Sequence, residues 1–342
     1  MITVKTPQGQ SPSRRPWLAL ALFLLAPLVG EFLLGNLPVT WLGALVTLAP
    51  LYGGGAVLIR ELVRRTGRGW PSMVLLGLAY AVIEEAFVTQ SLFNPDYVGL
   101  RLLDFGYIPK LGIGAWWTVF VLGIHTIWST AVPIALVEGW VGATPAATRP
   151  WLGKGGLVVA VLVFGLGCVV TAAVHPPGAV ALSPAQAGVS GLIVVGLGFL
   201  AFRQRCVDGP ETQRHRRATR FPWPVALATL GLGSAFMTLA RLHDALPAAV
   251  SVEAMVAVLG AAACVLVVLA RRAAWSAPHR LAAAGGFLLV YVWYGFVQVP
   301  SVGAASAAVN LAGDVTFSAG AIVLLAVLVR RTMRAERHAP AG

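Results

Sequence analysis

The sequence predicts an all-α protein, a polytopic transmembrane helical bundle of about ten spans with both termini cytoplasmic. Three observations lead there. Of 342 residues, 58% are hydrophobic and 11% charged, whereas soluble domains carry about 25% charged residues. Ten apolar segments approach the roughly 20 residues that a helix needs to cross a bilayer. The basic residues then sort to one side, as the positive-inside rule requires of cytoplasmic loops.

In chain order, residues 1–16 (MITVKTPQGQSPSRRP) are polar and read as a disordered cytoplasmic tail. Arg14 and Arg15 lead into a full-length apolar segment without a small-residue cleavage site, so the first helix is expected to stay as a signal anchor. The transmembrane domain is placed at 17–330. Its spans are Trp17–Leu34, Trp41–Ile59, Pro71–Phe93, Ile113–Glu138 and Gly155–Val174, then Ala185–Phe202, Phe221–Ala240, Ala249–Ala270, Leu281–Val299 and Val315–Val329. A cytoplasmic tail, 331–342, follows. With the N-terminus inside, 22 of the 25 basic residues are cytoplasmic, leaving Arg101, Lys110 and Arg241 outside.

This distribution also explains the net charge of +12 without nucleic acid as a partner. The expected partner is the lipid bilayer, and the expected location the cytoplasmic (inner) membrane of a bacterium, as a multi-pass protein. Cys168, Cys206 and Cys264 show no CxxC spacing, so neither a disulfide framework nor a zinc knuckle is indicated. The basic loop 203–220 sets topology. The outer stretch 94–112 mixes apolar and charged residues and is expected to fold back over the bundle. His175 and His243 fall in outer turns and are expected to be solvated.

Chemistry is expected where the membrane segments carry ionisable groups. Glu84 and Glu85 lie inside the third span, although a carboxylate near mid-bilayer costs on the order of 2.5–3.5 kcal/mol. Glu84 and His125 are each 13 residues from the predicted cytoplasmic ends of their helices, and Glu31 is 14 residues from Trp17. At the α-helical rise these depths coincide near 20 Å. Thr89 shares a face with Glu85, and Ser129 with His125. Adjacent glutamates point about 100° apart, so both reach one cavity only at its edges. Two carboxylates so close in low dielectric rarely both ionise, and one is expected to keep a proton or bind a cation. Pro133 is expected to kink the fourth helix and free a carbonyl near Ser129. Gly53–Gly55 allow close helix approach. Trp116, Trp117 and Trp128 flank His125 in sequence, and Tyr294 and Gln298 are further candidate partners.

The acidic pair in AVIEEAFVTQSLF (Ala81–Phe93), followed by His125 in VFVLGIHTIWS (Val119–Ser129), resembles the CAAX-protease and bacteriocin-processing (CPBP) family of intramembrane metalloproteases. The resemblance implies hydrolysis of a membrane-embedded or lipidated peptide by a Glu-activated water. Glu84 would be the general base, His125 a ligand or oxyanion partner, and Glu31 or Glu85 an orienting acid. A divalent metal such as zinc would then sit on Glu84, His125 and Glu31. The same residues also suit the proton or cation site of a coupled transporter, and a non-catalytic scaffold whose acids only join helices is the third reading.

Overall fold

Each predicted span forms a helix. The computed structural model describes residues 14–142, 144–174, 182–204, 221–272, 275–303 and 305–338. Among them, ten helices are long and apolar enough to cross a membrane. They are α1 (Pro16–Leu33), α2 (Val39–Arg65), α3 (Trp70–Val88), α4 (Ala115–Val141) and α5 (Lys154–Val174). The second half holds α6 (Pro184–Arg203), α7 (Trp223–Arg241), α8 (Ala248–Ala270), α9 (Ala277–Val297) and α10 (Ala307–Ala335). Of the basic loop, residues 205–220 lie outside the described residues, as do His175, Cys206 and most of the N-terminal tail.

The largest boundary differences share one cause. α2 continues past Ile59 to Arg65, and α10 begins at Ala307, enclosing Asp314, before its helix runs on to His338. Hydropathy stops at the first charges, whereas a helix continues wherever its backbone bonds are kept.

Burial orders the helices. α4 is 72% buried and lies at the centre, while α5, α6 and α8 are only 11% buried. Those outer helices are apolar all round, as lipid contact requires. α9 packs on α7, α10 and α4, and α3 on α4 and α6, while α2 fits between α1 and α5. The predicted glycine contact is present. A Cβ on Gly53 would stand 2.0 Å from the Phe23 carbonyl of α1, and one on Gly55 would stand 2.4 Å from the Tyr80 ring of α3. Trp128, fully buried, stacks on Tyr291 at 4.8 Å and donates to the Phe287 carbonyl at 2.7 Å, so it anchors α4 to α9.

The stretch after α3 crosses one end of the bundle. It contains a two-stranded antiparallel ribbon, β1 (Tyr107–Ile108) and β2 (Ile113–Gly114), and it buries Leu103. His243 corrects its expectation: it is half-buried, stacked on Trp116 at 4.4 Å and edge-on to Phe105 at 4.9 Å. Aromatic neighbours displace water from its ring.

Candidate functional site

Four helices widen at the site. The described residues contain four π-helical segments: Leu28–Leu33 in α1, Ala49–Gly53 in α2, Ile83–Val88 in α3 and His125–Ala131 in α4. Each carries one polar part of a single buried group, namely Glu31, Tyr52, Glu84 with Glu85, and His125 with Ser129. A π turn adds a residue to the helical turn and re-aims the side chains beside it, and such turns concentrate at functional sites. The i to i+5 bonds are visible where Thr89 donates to the Glu84 carbonyl at 2.8 Å and Asn36 to the Glu31 carbonyl at 3.0 Å. Proline explains three of the four. Pro27, Pro50 and Pro133 border or lie within their segments, and each lacks the N–H that would close a normal turn. In α3 no proline intervenes, and the widened turn ends at Gln90, whose φ is +55°.

The imidazole of His125 sits between two carboxylates. Glu84 Oε2 is 3.3 Å from Nδ1, and Glu85 Oε1 is 2.9 Å from Nε2. Ser129 Oγ lies 3.1 Å from the same Nδ1. The π turn thus lets adjacent glutamates face opposite edges of one ring, which an ideal α-helix does not favour. Glu85 Oε2 accepts from Thr89 at 3.1 Å and also from Ser91, which itself accepts from Trp117 Nε1 at 3.0 Å. The residues after α3 are therefore tied to the acid itself. Glu84 Oε2, by contrast, is buried with no hydrogen bond of good geometry beside its 3.3 Å approach to His125, and the Tyr80 hydroxyl lies close to the same carboxyl.

Glu31 forms a second layer. Tyr52 donates to its Oε1, and Asn36 Nδ2 donates to its Oε2 at 2.6 Å. The Tyr52 ring lies 5.6 Å from the His125 ring, and the two layers touch there. Over them, Tyr97 is held above the usual phenol range by burial, with Glu85, Glu31 and Glu84 adding to the effect in that order. Glu84, Glu85 and His125 are 1%, 4% and 5% exposed.

The structure brings Glu84, Glu85 and His125 together and leaves Glu31 out of the innermost set. One donor atom from each of the three lies within 4.8 Å of the others. One imidazole with two carboxylates suits a divalent ion such as zinc, manganese or iron. Both oxygens of Glu31 accept hydrogen bonds, from Tyr52 and Asn36, and Glu31 lies outside the close group of Glu84, Glu85 and His125. Other suggested partners lie elsewhere. Gln298 donates to the Val299 carbonyl, and Trp128 packs toward α9.

A second buried network lies among charges that the positive-inside count places on the cytoplasmic side. Glu138 accepts from Arg64 Nη2 at 2.6 Å and Nε at 2.8 Å, and from Arg60 Nε at 3.2 Å. Glu61 accepts from Arg60 at 2.9 Å and from the Trp151 backbone at 2.7 Å. Arg60 has no exposed surface, and its guanidinium lies 3.5 Å from the Trp151 ring centroid. The missed signal was Glu138, one more acid at the end of an apolar helix. At the helical rise, Arg60 is about 12 Å along α2 from Tyr52, and Glu138 about 20 Å along α4 from His125.

Residues 20–339 match the model of an uncharacterized membrane protein family. That match overturns the resemblance to the CPBP proteases, which are a different family. The short acidic and histidine motifs had carried that likeness, and Thr89, which bonds Glu85, stands where the protease motif has arginine. No curated protein matches the chain, and no solved structure matches it.

Proposed function

We propose that this chain, which belongs to the uncharacterized membrane protein family, is a secondary carrier whose Glu84–His125–Glu85 centre takes up and releases a proton or a cation. One observation carries the reading. Each of the four π-helical turns aims a polar side chain at one buried point. π turns inside membrane helices concentrate at functional sites, and irregular helix backbone around a buried polar centre is a feature of transporter sites. Charge counting supports it. Three carboxyls and one imidazole, all buried, hold excess negative charge unless a proton or cation is bound. Glu84 Oε2, whose nearest charged partner is His125 Nδ1 at 3.3 Å, is the acceptor that would take either.

The centre lies between two closures. On one side, Ser91 and Thr89 hold the chain after α3 to Glu85. On the other, the Arg60–Glu61–Arg64–Glu138 network joins α2 to α4 and to residues 146–152. With the arginine-rich end cytoplasmic, as the charge count has it, the first is the outer closure and the second the inner one. Glu85 thus contacts both the His125 imidazole and the Ser91 and Thr89 hydroxyls, so loading of the centre and opening of the outer side are linked through one carboxylate. The near-complete burial of Glu84, Glu85 and His125 favours this occluded carrier over peptide hydrolysis, which needs an open water position and a route for the peptide.

Proton release tests it. In weakly buffered detergent solution, adding Na⁺, K⁺, Mg²⁺, Mn²⁺ or Zn²⁺ one at a time should displace protons from the wild-type protein for at least one ion. A pH-indicating dye reads the release. Glu84→Gln should abolish it while the protein remains monodisperse. No release with any ion, together with pH-independent reactivity of both glutamates toward a carbodiimide, would refute the carrier reading.

A further inference from the structure

We propose that the groove between α1, α4 and α10 binds one acyl chain of an anionic phospholipid, with the phosphate held by arginines at its mouth. The groove has a volume of about 280 Å³, and its lining includes Trp17, Leu25, Leu136, Trp140, Leu324 and Leu328. Its floor is firm, since Leu18 and Leu328 have no exposed surface. From Trp17 to Leu25 it runs about 12 Å along α1 at the helical rise, a narrow apolar trough suited to one hydrocarbon chain.

The two ends differ in chemistry. At one end Trp17, half exposed, and Trp140 supply the aromatic residues that favour the headgroup level of a bilayer. Beside them stands Arg331, its guanidinium 4.2 Å from the Trp140 ring centroid. Arg330 and Arg334 are exposed on the same end of α10, and Arg14 is exposed at the start of α1. Basic pockets between membrane helices select anionic headgroups. Apolar trough and cationic mouth adjoin in the order in which a phospholipid carries chain and phosphate. This charge complementarity selects an anionic lipid over a zwitterionic one. The site is separate from the Glu84–His125–Glu85 centre and does not depend on the carrier reading.

The full chain, delipidated in a mild detergent, should bind phosphatidylglycerol at least tenfold more tightly than phosphatidylcholine, read by native mass spectrometry of the lipid-bound species. Arg331→Gln with Arg334→Gln should bring phosphatidylglycerol down to the phosphatidylcholine level and leave phosphatidylcholine unchanged. Ala21→Trp, which fills the trough, should reduce both. These variants should keep the lipid-free thermal transition of the wild type. The arginine pair is surface-exposed and keeps the test decisive where Ala21→Trp fails to fold. Equal binding of the two lipids by the wild type would overturn the proposal, as would unchanged selectivity in the arginine variant. So would a dimer, seen by light scattering, that Ala21→Trp dissolves.

Discussion

Replacing Glu138 by Gln removes the one charge that two arginines share. Glu138 is 3% exposed and accepts three bonds from Arg64 and Arg60, the latter with no exposed surface. The substitution keeps shape and leaves Arg64 facing a neutral amide, while Arg60 keeps its pair with Glu61. Removing one partner of a buried ion pair costs about 3–5 kcal/mol. Gln still offers a carbonyl that accepts one of the bonds, which places the loss near the lower end, at about 3 kcal/mol. That is roughly a hundredfold in the folding equilibrium. Domains of 150–250 residues lose about 2–4 °C per kcal/mol. The chain is longer, with 342 residues, so the smaller figure applies and the thermal transition should fall by about 6 °C. Tryptophan fluorescence in detergent, at one fixed scan rate, measures it. Arg64→Met with Glu138→Met removes both charges and should recover most of the loss, because well-packed apolar replacements of a buried pair are near neutral. A transition within about 2 °C of wild type for Glu138→Gln, or a double variant less stable than it, would refute the reasoning.

Other substitutions probe the packing and the widened turns. Gly53→Ala places a methyl 2.0 Å from the Phe23 carbonyl and should cost at least about 1–3 kcal/mol, whereas Gly43→Ala, with nothing within 4 Å, should leave the fluorescence-detected transition unchanged. Trp128→Phe deletes the bond to the Phe287 carbonyl, which keeps its own helical bond, and should cost about 0.5–1.5 kcal/mol in the same measurement. Pro133→Ala restores an N–H to α4 and should close the π turn at His125. Diethyl pyrocarbonate modification of His125 should then change in rate more than tenfold while the thermal transition holds, and an unchanged rate would separate the proline from the site geometry.

Much of this architecture is written in short-range pattern. The ten spans follow from apolar length, and the convergence of Glu84, Glu85 and His125 follows from equal depth, because buried ionisable groups seek one another. What depth cannot supply is azimuth. Adjacent glutamates diverge on a regular helix, and only the π turn in α3 sets them on opposite nitrogens of one ring. Pro27, Pro50 and Pro133 were visible signals for three of these turns, but the sequence reading used Pro133 alone. Tyr52 hides inside an apolar run, and its role appears only when Gly30 lets α1 approach it, with a Cβ there standing 3.1 Å from both the Tyr52 ring and Ser129 Oγ. Arg60 and Arg64 count as cytoplasmic charges in the sequence, and their burial depends on Glu138, 78 residues from Arg60. Local hydropathy cannot carry a contact between helices so far apart in the chain.

If Glu84 and Glu85 share one centre with His125, the reactivity of the two acids depends on pH and on the imidazole. Dicyclohexylcarbodiimide adds to protonated carboxyls in apolar surroundings, so the direct measurement is its labelling of Glu84 and Glu85 across a pH series, quantified by peptide mass spectrometry in wild type and His125→Gln. Labelling should fall as pH rises, with the midpoint displaced by at least one pH unit when the imidazole is removed. Labelling that is absent at every pH, or identical in the two proteins, would contradict a shared centre.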